Sequence, residues 1–112
     1  MAVTTDPIFP FGPASVETLT YAATIASTVN NSMTILTVAL TGAATLNLTL
    51  DANLRVGSIL IVRASSDGTA RDLTPGTGMT GTVVAGVINK TKCATYVYNG
   101  TAFVHIATQQ ID

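Results

Sequence analysis

Cysteine and histidine each occur once in the 112 residues, as Cys93 and His105. A thiol within hydrogen-bond reach of an imidazole is the smallest arrangement that activates a nucleophile. The spacing argues against that chemistry. Asn99-Gly100 tolerates positive φ and lies between two β-prone runs, Cys93 to Tyr98 and Ala102 to Ile106, so it reads as the turn of a hairpin. Counting outward pairs Tyr98 with Thr101 and Cys93 with Ile106, which leaves Cys93 and His105 close in the ladder but on opposite faces. A buried small thiol and a half-exposed strand histidine are the expectation.

Asp51, Asp67 and Asp72 are the next candidates, as oxygen ligands for calcium or as the acid pair of a glycoside hydrolase. All three stand beside turn residues, where an aspartate bonds its local backbone, and Arg55, Arg63 and Arg71 are at hand to pair with them. Gly76-Thr77-Gly78-Met79-Thr80-Gly81 matches the G-x-G-x-x-G spacing that lets a backbone approach a pyrophosphate at a helix start. Pro75 precedes it and the β-branched run Thr82 to Val84 follows, so a glycine-rich turn is expected there and no phosphate site. Tyr96, Tyr98 and Phe103, with Tyr21, have faces that stack on sugar rings. In a hairpin the first three also stand where aromatic contacts bind two strands together, so they are read as interface or ligand aromatics, with packing the first use. Asn30, Asn47, Asn89 and Asn99 each open an N-x-Ser/Thr triplet, a consequence of Asn- and Thr-rich composition. No catalytic, metal or cofactor-binding residue is assigned, and the chain is not expected to be an enzyme.

The elements that would carry these residues are strands. Leu36, Val38 and Leu40 alternate with Ile35, Thr37 and Ala39, and Leu46, Leu48 and Leu50 alternate with Asn47, Thr49 and Asp51, so each run buries one face of a sheet, with Thr41 to Ala44 as the turn between them. Ser58 to Arg63 is apolar on both faces and predicts a central strand covered on both faces by core or by a neighbouring subunit. Ser65-Ser66-Asp67-Gly68 ends it. Thr82 to Ile88 is β-branched and predicts a strand, in which Gly86 marks a bulge or a close backbone approach. One helical turn is expected at Ser15 to Leu19. No repeat of fixed period between 20 and 50 residues is visible. These readings make the fold all-β: one antiparallel β-sandwich or jelly-roll-like domain of seven to eight short strands over residues 15–112, preceded by an extended arm at 1–14.

Charge is scarce and unevenly spread. Charged residues make up 10% of the chain and apolar ones 47%, a composition that folds but leaves little charge for a free surface. Before Asp51 only Asp6 and Glu17 are charged, whereas every Arg and Lys lies between Arg55 and Lys92. Burial against other subunits is the simplest remedy, so a homo-oligomer is expected. Five basic against six acidic side chains give no reason to expect nucleic acid or an anionic membrane as partner. The first 13 residues have no basic n-region or apolar h-region, and no run of about 18 apolar residues occurs, so neither a signal peptide nor a membrane-spanning helix is expected. Pro7, Ile8, Phe9, Pro10 and Phe11 instead give an extended apolar segment whose fixed φ angles suit attachment to a partner.

Leu46-Asn47-Leu48-Thr49-Leu50, Arg55-Val56-Gly57-Ser58-Ile59-Leu60-Ile61-Val62 and the closing Tyr96-Val97-Tyr98-Asn99-Gly100-Thr101-Ala102-Phe103-Val104 together resemble β-rich virion proteins of tailed phages: head-decoration proteins, head fibres and tail-fibre knobs. The resemblance covers about half the chain. It implies a capsid decoration or auxiliary (cement) protein, often a trimer, made in the bacterial cytoplasm and held on the major capsid protein or another virion protein, partly through the N-terminal segment. A receptor- or carbohydrate-binding knob of a tail fibre is the alternative it implies. Neither carries catalytic residues.

Overall fold

Met33 to Leu40 shows how the chain builds its sheets. Thr34, Leu36, Val38 and Leu40 are buried while Met33, Ile35 and Thr37 are half-buried and Ala39 is exposed, the two-residue period of a strand with one face on the core. The same alternation recurs along the computed structural model, which describes residues 15–112. The expected arm, with Pro7, Ile8, Phe9, Pro10 and Phe11, lies outside the described residues.

Nine strands occur among the described residues, with no helix: β1 (Ser15–Leu19), β2 (Thr24–Val29), β3 (Met33–Leu40), β4 (Ala44–Leu50), β5 (Ile59–Ser66), β6 (Leu73–Pro75), β7 (Met79–Thr80), β8 (Thr91–Tyr98) and β9 (Phe103–Gln110). They form a six-stranded sheet ordered β1-β3-β5-β8-β9-β7 and a three-stranded sheet ordered β2-β4-β6. Through the first six strands the chain alternates between the sheets, and each strand pairs in parallel with the one two elements later. Parallel neighbours need a crossover connection; here a strand of the facing sheet supplies it instead of a helix. Three stacked coils of two strands each result. β8 and β9 then add to β5 as antiparallel strands, and short β7 runs parallel to β9.

The all-β expectation therefore holds, while the purely antiparallel pairing does not: the sheets are mixed. The turn at Thr41 to Ala44 joins strands of different sheets, so β3 and β4 are not partners. Ser15 to Leu19 is a strand and not a helical turn, with Val16 level with Ile35 on β3. Thr82 to Ile88 forms no strand; Val84 alone makes a bridge, to Leu73, exchanging hydrogen bonds of 3.0 and 2.8 Å with it. Gly86 does mark a close approach. A Cβ there would run into the Arg71 carbonyl, and its N–H donates to the Asp72 carboxylate at 3.1 Å.

Both sheets contribute to one buried cluster, with Ile25, Val29, Leu46 and Leu48 from the smaller sheet and Leu36, Leu60, Val62, Tyr96 and Phe103 from the larger. Burying an aliphatic side chain of this size stabilises the fold by about 1.5–3 kcal/mol, so this cluster is the main support of the coils. Two buried hydroxyls, Thr34 Oγ1 and Tyr96 Oη, have no hydrogen-bond partner among the described residues.

Candidate functional site

The hairpin places Cys93 and His105 by a register different from the simple count. Asn99 N–H donates to the Ala102 carbonyl at 3.0 Å, and the Asn99 side-chain oxygen accepts from Thr101 and Ala102 N–H at 2.9 and 3.0 Å. Gly100 and Thr101 therefore form the tip, with Gly100 at φ 102°, and Tyr98 pairs with Phe103 instead of Thr101. A bulge at Ile106 shifts the ladder once more: Tyr96 faces His105, but Thr95 faces Ala107 and Cys93 faces Gln109. Cys93 and His105 are thus separated along the ladder as well as by face. The His105 Nε2 lies 2.7 Å from Thr108 Oγ1, and its ring meets Tyr96 edge-on at a centroid distance of 5.4 Å.

The aspartates serve the backbone. Asp51 accepts from Asn53 N–H at 2.8 Å, and Asp67 accepts from Thr69 N–H at 3.1 Å. Asp67 is also gripped by the Arg71 guanidinium through two bonds of 2.9 and 3.2 Å, which hold its carboxyl below the usual carboxylate range. Among the described residues no group of three or more His, Cys, Asp or Glu side chains comes together. The glycine-rich segment ends β6 and leads into β7 with no helix behind it. Gly76 N–H donates to the Leu46 carbonyl at 2.8 Å and Thr77 N–H to the Asn47 side-chain oxygen at 2.9 Å, while a Cβ on Gly76 would collide with Asn47. These glycines let the loop press against β4.

Of the three hairpin aromatics, Tyr96 and Phe103 are fully buried and Tyr98 is half-buried with its ring 5.4 Å from that of Phe103. Burial pushes the Tyr96 phenol up to about 12. Two of the three are therefore unavailable to a sugar.

What the fold brings together instead is the outward side of the six-stranded sheet. Strand register puts Met33, Ile59, Val97 and Val104 in one row across four strands, and Val16, Ile35 and Ile61 in the next, which Thr95 and Ala107 complete. Val16 is 68% exposed, and Ile35, Ile59, Ile61 and Val97 are half-buried. The third row holds Thr18, Thr37, Arg63, Cys93 and Gln109, and Arg63 is the charged side chain of the outward rows. The double-apolar pattern of Ile59 to Val62 predicts a strand needing cover on both faces. Its core side has that cover, and on its outer side Ile59 and Ile61 stay half-buried among the described residues. Met33, Ile35, Val97 and Val104 do not stand out as candidates in the sequence; the apolar Met33 and Ile35 alternating with Thr34 and Leu36 carry the signal.

The outward side of the three-stranded sheet is different in kind. Thr24, Thr45 and Thr74 form one row, Ala26 and Asn47 another, Thr28 and Thr49 a third, all uncharged and mostly polar. Neither a protein-family model nor a curated protein matches the chain.

Proposed function

We propose that the chain is a structural subunit of a virus particle, a decoration or auxiliary protein of a tailed-phage head. The observation that carries this reading is the pair of outward faces: an apolar one suited to contact with other subunits and a threonine-rich uncharged one suited to water. The resemblance of 46–50, 55–62 and 96–104 to β-rich virion proteins supports it, as does the proline-spaced apolar segment Pro7 to Phe11 as an attachment arm. The major capsid protein or another virion protein is the partner this reading requires.

Purified protein should add to phage heads that lack it, giving extra surface density in electron micrographs. Removing residues 1–13 should weaken that addition while β circular dichroism is unchanged. Full binding by the shortened chain overturns the attachment role of the arm, and no binding by the full chain overturns the head assignment. A glycan-binding knob on a tail fibre is the lesser reading, because burial of Tyr96 and Phe103 leaves it only Tyr98 among the hairpin aromatics.

A further inference from the structure

We infer that Glu17 is a guard on the open end of the coil stack, a charge that keeps a second copy of this chain from adding its strands there. β1 and β2 make the first coil, and they are the edge strands of the two sheets at the same end. Among the described residues nothing pairs with either outer edge. The Thr45 N–H donates to the Ala23 carbonyl and the Asp51 N–H to the Val29 carbonyl, so the alternate residues Thr24, Ala26 and Thr28 turn their N–H and C=O groups to that edge. The other end of the stack is closed. β8 continues the larger sheet past β5, and β6 stops after three residues at Pro75, with Val84 bridged to Leu73 on its outer side. Open, uncharged strand edges are templates for a further strand.

Glu17 is level with Leu36, Val62 and Ala94 across the larger sheet, and all three are fully buried. Its side chain therefore starts on the core side of β1, in a row that is otherwise apolar from β3 to β8. Ser27 stands likewise on the core side of β2, level with the buried Leu48, and its hydroxyl donates to the Glu17 carboxylate at 3.0 Å. The pair spans the end of the sandwich from one sheet to the other, and the exposed Glu17 ends the core row in water. It is the charged side chain of the whole stretch from Ser15 to Leu50. A strand laid on β1 would bury that carboxylate with one hydroxyl as partner, a cost of the kind that keeps natural sheet edges apart. A second copy adds a further cost. A two-fold axis along the sheet normal lays β1 on β1 and β2 on β2, antiparallel in both sheets. Because Glu17 is the middle residue of β1, the two carboxylates then meet.

Glu17→Val completes the apolar row and should let the end accept a second copy. Sedimentation over a dilution series should then show at least twice the wild-type mass, with association about 100-fold or more tighter, because no buried charge opposes it. Glu17→Lys, a charge of the other sign, should keep the wild-type mass. Ala26→Pro removes an N–H that faces the open edge and no bond among the described residues, so Glu17→Val combined with Ala26→Pro should also return to the wild-type mass. Should Glu17→Val fail to fold, Glu17→Gln keeps a partner for Ser27 without the charge and should associate by the same edges about 10-fold or more tighter than wild type. A folded Glu17→Val chain at the wild-type mass, or in its place Glu17→Gln at that mass, overturns the inference. So does growth of Glu17→Lys, or growth that survives Ala26→Pro and therefore uses another surface. None of these outcomes bears on addition to phage heads, so the guard and the proposed function stand or fall separately.

Discussion

The two outward faces are built on strands with the same inward pattern. On β4 the buried residues Ala44, Leu46 and Leu48 alternate with Thr45, Asn47 and Thr49; on β5 the buried Leu60, Val62 and Ala64 alternate with Ile59, Ile61 and Arg63. The inner halves are interchangeable in kind, and the outer halves are not. A strand needs its inner half to fold, so the inner pattern reports on stability. The outer half is free to vary, and what stands there reports on what the sheet meets after folding. Threonine keeps β propensity while accepting water, whereas a row of isoleucine, valine and methionine gains little in the single chain and much on being covered.

The largest test of that comparison is whether the inner halves are in fact equivalent. Leu46→Ala on the smaller sheet and Leu60→Ala on the larger each open a cavity in one shared cluster, and each should cost about 2–5 kcal/mol in urea unfolding. The two midpoints should fall together, in a single transition. Two transitions, or loss of only one sheet's signal, would mean that the sheets do not fold as one unit.

The inner halves are legible in the sequence because a period of two fixes which side chains share a face. Leu36, Val38, Leu40, Leu46 and Leu48 all point inward as the alternation requires. The partner of each strand is not legible, since that period does not distinguish a hairpin from a coil. The coils also hide from any search for a fixed repeat: Ser15, Thr34 and Leu60 stack at spacings of 19 and then 26 residues, and Thr24, Thr45 and Thr74 at 21 and then 29. Thr82 to Ile88 misleads through composition. Its backbone is engaged by the corner at Ser66 to Leu73, where Val84 bridges Leu73 and Gly86 meets Asp72, so it has no free length for a ladder. The outward apolar face of the larger sheet is half legible: Ile59 and Ile61 announce it, but its extent depends on parallel neighbours that alternation does not supply.

The larger sheet also carries a cost the smaller one lacks, and alkali should reveal it. Tyr96 is fully buried with a hydroxyl unpaired among the described residues, and burial pushes its phenol from 10.0 up to about 12. Below pH 10 the phenol is neutral in both folded and unfolded chains, and the stabilisation is fully present. Between pH 10 and 12 the unfolded chain loses the proton while the folded one keeps it, so stability falls by an amount on the order of 2 kcal/mol. Tyr96→Phe should abolish that part of the loss. At neutral pH it should be neutral or slightly stabilising, because it removes a hydroxyl that has no partner. A marked loss at pH 7, read from the urea midpoint, would show that the hydroxyl is paired.

On the smaller sheet the outward residue expected to matter most to folding is Asn47, whose side chain receives Thr77 N–H and seats the glycine-rich loop. Asn47→Ala should cost about 1 kcal/mol, the net worth of one such bond, whereas Thr49→Lys beside it should stay within about 0.5 kcal/mol. Equal effects at the two positions would mean that the loop is held by its backbone bonds alone, Gly76 N–H to the Leu46 carbonyl and Leu48 N–H to the Thr77 carbonyl, each at 2.8 Å.

The smallest effect belongs to a place neither sheet owns, the corner where Arg71 grips Asp67. The pair lowers the Asp67 carboxyl below its ordinary 3.8, chiefly through the guanidinium hydrogen bonds and then the Thr69 N–H. A lowered folded value means that the contribution is present above the unfolded pKa and is lost as pH falls through the folded one. Water competes for both groups at the surface, so the loss is small. Asp67→Asn should flatten the acid end of the stability profile slightly below about pH 4 and leave the alkaline fall set by Tyr96 untouched. Because the Asp67 backbone carbonyl also accepts Asn89 N–H at 2.9 Å, the exchange should leave the 82–90 segment in place. Faster amide exchange at Asn89 in the variant would show that the ion pair, and not the backbone, anchors that segment to the end of β5.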